Sequence, residues 1–137
     1  MAKQQTIIGE ALPNMPWEDK PAGYQEPVWR FSGNPIIDIN PIPKAQSIYN
    51  SAVYPFNGEF VGVLRADSKS VMPFLHVGHS KDGIQWDIEP EPIQFKCDDP
   101  EIGKMIYAYD PRVCKIENTY YVTWCNGYHG PTIGIAK

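Results

Sequence analysis

Asn50-Ser-Ala-Val53-Tyr-Pro-Phe56-Asn-Gly-Glu-Phe60-Val61 and Asp110-Pro-Arg-Val113-Cys-Lys-Ile116-Glu-Asn-Thr-Tyr120-Tyr121 are the two stretches that decide the fold. Laid over each other at an offset of 60, Val53 meets Val113, Phe56 meets Ile116, turn meets turn and Phe60 meets Tyr120. Downstream, Leu75-His-Val77-Gly-His79 resembles Ile133-Gly-Ile135-Ala-Lys137. A strand–turn–strand–strand unit recurring at this spacing predicts the blades of a β-propeller.

The rest of the chain agrees with short strands and tight turns. Phe60 to Leu64, Phe74 to Val77 and Tyr120 to Trp124 are short runs rich in Val, Tyr, Phe and Trp. Asn57-Gly58 is a strong hairpin signal, and Lys81-Asp82-Gly83 and Glu117-Asn118 read as further turns. Ser80-Lys-Asp82-Gly83-Ile-Gln-Trp86 predicts a tight polar turn whose Trp packs between sheets. No amphipathic helix is evident; Asp98 to Lys104 has room for one short helical turn. Fourteen prolines and 11 glycines suit this organisation. Residues 1–30 have no sustained period and are broken by Pro13, Pro16, Pro21 and Pro27, so they are read as a lead segment pinned by Trp17 and Trp29. Residues 31–137 are read as a partial propeller of about two blades. Two repeats cannot close a propeller, so the sequence is expected to be a piece of a longer chain. A small β-sandwich complete in itself is the alternative.

Composition narrows the partners. The net charge of −4 and pI near 5.3 argue against nucleic acid or an anionic membrane surface. No apolar run approaches the length of a membrane span, and Met1 to Glu10 has no secretory h-region. Cys97, Cys114 and Cys125 are odd in number and lack CxxC spacing, against a disulfide scaffold or a zinc site. Reduced thiols in a cytoplasmic protein are the expectation, with Cys114 and Cys125 as small core residues. A homo-oligomer stays open.

The repeat also places the chemistry. Residues at the start of a blade's innermost strand point toward the propeller axis, so Asn50 and Asp110 are expected to face one central pocket. Arg65 follows Val61-Gly-Val63-Leu64 in its own strand. An Asn, an Arg and an Asp converging on a concave site suit a polyhydroxylated ligand, with the carboxyl able to accept or deliver a proton. Each has a plainer alternative: Asp110 before Pro111 as a turn cap, Asn50 as a loop bond, Arg65 with Asp67 as a surface ion pair. Tyr107 and Tyr109 suit either sugar stacking or core packing. His76 and His79 read as structural or exposed. His129, Asn126 and Tyr128 lie in a Gly-rich loop that can border a pocket. GxSxG, Walker, HExxH and Rossmann signatures are absent from the sequence.

Gly33-Asn-Pro-Ile36, Ile48-Tyr-Asn50-Ser-Ala-Val53, Leu75-His-Val77-Gly78, Tyr109-Asp110-Pro-Arg-Val113 and Tyr121-Val-Thr-Trp-Cys-Asn-Gly-Tyr-His-Gly-Pro131 closely resemble glycoside hydrolase family 130, over about residues 30 to 137. The resemblance implies a five-bladed propeller and an inverting phosphorolysis of β-1,4-mannosides. The branch it is most similar to acts on mannooligosaccharides and mannosyl-N-acetylglucosamine. Inorganic phosphate would be the co-substrate, α-mannose 1-phosphate the product, and no cofactor or metal is implied. Asp110 would be the general acid, its proton passing through a hydroxyl of the mannosyl ring. Asn50, Ser51 and Arg65 would hold the mannosyl unit, Tyr109 would border the acceptor side, and Asn126 is a further substrate-binding candidate. The sequence departs from the family in its phosphate cradle. Its arginines are Arg30, Arg65 and Arg112, and the family's phosphate ligands lie in later blades. Phosphorylase, family β-mannosidase using water, and noncatalytic sugar-binding propeller therefore all stay open. The 137 residues alone are expected to be inactive.

Overall fold

A computed structural model describes residue 16 and residues 18–101, 103–127 and 130–137. Eight strands run in chain order: β1 (Ala45–Ile48), β2 (Ala52–Phe56), β3 (Glu59–Ser68), β4 (Pro73–Ser80), β5 (Asp87–Ile88), β6 (Ala108–Ile116), β7 (Thr119–Asn126) and β8 (Thr132–Ala136). Among the described residues no helix occurs, so none is long and apolar enough to cross a membrane.

The strands form two antiparallel sheets. In the first, β1 and β2 share one edge of β3, followed by β4 and β5. In the second, β6, β7 and β8 lie in order. β1 and β2 behave as one interrupted strand, with residues 49–51 as the interruption. The hairpin between β2 and β3 turns on Asn57 (φ 52°) and Gly58 (φ 79°). Two successive positive φ values match the right-handed twist of the flanking strands, which is why Asn-Gly is found there.

The repeat is preserved down to the pairing. Val53 faces Gly62 and Phe56 faces Glu59; sixty residues on, Val113 faces Val122 and Ile116 faces Thr119. Tyr49 donates its backbone N–H to Arg65, and Tyr109 faces Cys125. Across the next hairpin the offset becomes 58, so Arg65–Leu75 corresponds to Cys125–Ile133.

Side chains alternate across each strand, and this divides the core in two. One face of the first sheet puts Leu64, Ala66 and Ile88 against Ile42 and Ala45, with Ile37 and Trp86 packed on them. Its other face puts Val63 and Leu75 against Ala108 and Trp124 of the second sheet. Phe95 stacks flat on Trp124 with ring centroids 3.9 Å apart. Trp86 therefore packs on the outer face over Gly62 and Gly78 rather than between the two sheets. Residues 31–44 are turns and bends, and the first strand begins at Ala45.

The cysteines differ from expectation. Cys114 is exposed and Cys125 half-buried; neither belongs to a core cluster. In β6 the residues on the Val113 side face the core, and parity turns Cys114 away from it. His76 is buried and bonds through Nδ1 to the Glu89 carbonyl at 2.9 Å, whereas His79 is exposed. Of the Asp98 to Lys104 stretch, the described residues form a turn at Asp99 to Glu101, with the Gly103 N–H on the Asp99 carbonyl. Trp29 is half-buried; Trp17 lies outside the described residues.

Candidate active site

Asp110 stands where the β6–β7 register slips between Tyr109 and Arg112. Its φ is +50°, a left-handed conformation that Asp tolerates better than most residues. Pro111 behind it is fully buried. An irregularity of this kind re-aims a side chain out of the alternation of its strand. Here it sends the Asp110 carboxyl toward the first sheet.

Asn50 occupies the matching interruption between β1 and β2. Its Nδ2 donates to Asp110 Oδ1 at 2.8 Å. The two repeat-equivalent residues therefore meet, and the turn-cap and loop-bond alternatives do not describe them.

Arg65 projects from the same face of β3 as Val63, so one strand carries an apolar contact and then a cation into the space between the sheets. It lies inside β3 rather than at the end of its strand. Its Nη1 reaches Asp110 Oδ1 at 3.4 Å. Two positions on, and so on the same face, Asp67 takes the rest of the guanidinium. Arg65 Nε donates to Asp67 Oδ1 at 2.8 Å and Nη2 to Oδ2 at 3.0 Å. Asp67 is 8% exposed, so this is not a surface pair. The hydrogen bond to Asp67 leads the causes that hold Arg65 above its usual range. The guanidinium also lies over the rings of Tyr49 and Tyr109, at 5.2 and 5.4 Å.

Tyr109 is half-buried, with its ring tilted against Tyr107 at 5.6 Å. Neighbouring Cys125 is the main influence raising the Tyr109 hydroxyl, which keeps its proton as a donor. Ser51 is exposed and donates its hydroxyl to the Tyr49 carbonyl at 2.7 Å. Asn126 is oriented differently. It lies on the Trp124 face of β7, opposite Cys125, and lines a cavity of about 1120 Å³ with Trp124, Phe95 and Met105. Its Oδ1 and Trp124 Nε1 are buried without a hydrogen-bond partner. Asp110 does not line that cavity. Tyr128 and His129 lie outside the described residues.

Asp67 and Tyr49 were not singled out from sequence as members of this cluster. The available signal was parity: Asp67 is two residues from Arg65 in one strand. Tyr49 is the repeat partner of Tyr109.

A carboxyl held at one oxygen by an amide and by a guanidinium that itself lies over two aromatic rings can exchange a proton with a hydroxylated ligand. Two repeat-related antiparallel sheets meeting at such a cluster are successive blades of a β-propeller of an enzyme family. The chain belongs to glycoside hydrolase family 130: the family model described as beta-1,4-mannooligosaccharide phosphorylase matches residues 9–137.

Relatives agree. The chain is 49% identical over 141 residues to the beta-1,4-mannooligosaccharide phosphorylase of Ruminococcus albus, covering 98% of this chain and 42% of the relative. This chain thus spans less than half the length of that protein. A Parabacteroides distasonis crystal structure superposes with a TM-score of 0.64 at 23% identity, covering 79% of this chain and 38% of that one. A structure reported under the finding that the family's mannoside phosphorylases include glycoside hydrolases targeting β-1,2 linkages in Candida mannan gives 0.54 at 27% identity. It covers 65% of this chain and 28% of that one. The all-β fold with successive propeller blades is that of the family.

Proposed function

We propose that the intact protein is a β-1,4-mannoside phosphorylase with Asp110 as its general acid. The observation that carries the reading is the Asp110 carboxyl anchored through Oδ1 by Asn50 and Arg65. The likeness to the Ruminococcus albus mannooligosaccharide phosphorylase supports the substrate class. Mannooligosaccharides and mannosyl-N-acetylglucosamine are the substrates proposed.

In this reading a phosphate oxygen attacks the anomeric carbon of the terminal mannosyl unit. The bond to the acceptor oxygen breaks, and that oxygen receives the proton that Asp110 supplies through a mannosyl hydroxyl. Attack on the face opposite the leaving group inverts the centre and gives α-mannose 1-phosphate. An inverting hydrolase needs a second carboxylate to activate water. Phosphate is already an anionic nucleophile, so one acid suffices together with a cationic cradle. The enzyme works in the cytoplasm, where inorganic phosphate is available, needs no cofactor, and is proposed to act without nucleic acid or membrane. Asn50, Ser51 and Arg65 bind the mannosyl unit and Tyr109 borders the acceptor, while Asn126, turned toward a cavity that Asp110 does not line, is proposed only as a more distant substrate contact.

The second reading is a family β-mannoside hydrolase, favoured by the hydrolases described among the related structures. The test is to give the intact protein mannobiose and mannosyl-N-acetylglucosamine with and without phosphate. Mannose 1-phosphate forming only with phosphate is expected; free mannose in its place establishes the hydrolase. Asp110→Asn keeps a residue suited to φ +50°, and should lower kcat/KM by about 10²- to 10⁴-fold. Full turnover of an unactivated substrate by this variant removes Asp110 from the acid role.

A further inference from the structure

We infer that Asp67 is a positioning residue that neutralises Arg65, so that Asp110 can hold the proton it delivers. The inference rests on Asp110 being the acid, as proposed above. A bare guanidinium beside a carboxyl favours its ionised form by one to three pKa units. Arg65 Nη1 is 3.4 Å from Asp110 Oδ1, so an unpaired Arg65 would work against a general acid.

The geometry removes that conflict. Arg65 commits two donors to Asp67, at 2.8 and 3.0 Å, in the two-point match between guanidinium and carboxylate. Its contact with Asp110 is the longest of the three. Asp110 thus faces an ion pair of no net charge. Both anchoring bonds fall on Oδ1, which leaves Oδ2 to carry the proton. The other titratable and charged groups around this carboxyl are Tyr49 and Tyr109, flanking Arg65, Cys125 beside Tyr109, and the exposed Arg112 on its own strand, whose Nη1 bonds the Pro111 carbonyl. The two tyrosines and the thiol are neutral when protonated, and Arg112 is exposed to solvent and forms no ion pair with Asp110 among the described residues. The charge that Asp110 feels at close range is set by Arg65 and Asp67.

The sheets enforce the pairing. Positions 65 and 67 share a face because strand side chains alternate. In the second sheet the equivalent positions are Cys125 and Gly127, and a side chain at 127 would run into the Tyr107 ring. The ion pair is therefore built on one blade only, the one facing Asp110.

The test is the pH dependence of kcat/KM for mannobiose in the intact protein at saturating phosphate. The high-pH limb reports loss of the acid's proton, and phosphate ionisation adds the same contribution to every variant. Asp67→Asn leaves Arg65 uncompensated and should move that limb about one unit or more to lower pH. Arg65→Gln leaves Asp67 uncompensated and should move it to higher pH. The double variant should return the limb to its wild-type position, even with a raised KM. A role confined to folding lowers activity without opposite displacements, so limbs that stay put, or that move the same way, overturn the inference. If Asp67→Asn does not fold, the direction for Arg65→Gln and the return in the double variant decide. Wild-type protein without turnover of any β-mannoside instead overturns the underlying assignment of function.

Discussion

The two sheets are the same design carried out twice, and their differences are more informative than their likeness. Both pair a first strand with a second in one register, and both break the first strand at the same point. The first sheet has Asn50 at that break and Arg65 and Asp67 across from it. The second has Asp110 at the break and Cys125 and Gly127 across from it. The charged pair stands on one blade and the carboxyl it serves on the next. A repeat supplies the scaffold, and the site is made by departures from the repeat. Packing differs for another reason: Leu75 is 1% exposed under the second sheet, whereas its counterpart Ile133 lies on a face that no further sheet covers among the described residues and is 71% exposed. Leu64 faces His76, but its counterpart Trp124 faces Gly134.

The contrast can be broken by mutation. The largest effect is expected at the apolar pair. In the 137-residue chain, Leu75→Ala should cost about 2–5 kcal/mol in chemical denaturation. Ile133→Ala should fall within about 0.5 kcal/mol, as exposed positions do. Equal losses would mean that the two faces are covered alike. Gly134→Ala comes next. A β-carbon there would enter the Trp124 indole, which is pinned by Phe95 on its other side. Overpacking of this kind costs about 1–3 kcal/mol, and fluorescence of Trp124 should report the displaced ring. An unchanged midpoint would show that the second sheet is less tightly packed than the first.

The smallest effect belongs to the turn that the first sheet has after β4. Asp82 Oδ1 accepts the backbone N–H groups of Ile84 and Gln85, each at 2.8 Å. The Gln85 bond and then the Ile84 bond hold its carboxyl below the usual range. A lowered folded-state pKa stabilises above the unfolded value and ceases to do so as pH falls through the folded one. Asp82→Asn keeps the acceptor but loses the charge. Its thermal midpoint should lie slightly below wild type at pH 7, with the gap closing below about pH 4. A gap that persists at acid pH would assign the effect to shape rather than charge.

Much of this was legible in the residues. Period-two alternation, Asn57-Gly58 and the repeat fix strands, turns and register, because these depend on neighbours in the chain. The equivalence of Asn50 and Asp110 was legible for the same reason. Asp67 was not, because next to Arg65 in sequence it reads as an exposed ion pair. Burial against the second sheet is what turns it into part of the site. Cys114 was misplaced in the core because strand residues of similar polarity can sit on either face, and one step of parity decides which. Asn126, one residue past Cys125, meets the same rule.

By itself the sequence determined the blade repeat, the hairpins and the family, since local conformational preference and the order of motifs are properties of the linear chain. Only the tertiary structure decided that Asn50 and Asp110 share a hydrogen bond, that Arg65 is forked by Asp67 before it reaches Asp110, and that Asn126 faces the Trp124 cavity. Those outcomes depend on how two sheets pack face to face, where a register slip and a left-handed φ at Asp110 aim one carboxyl across the gap.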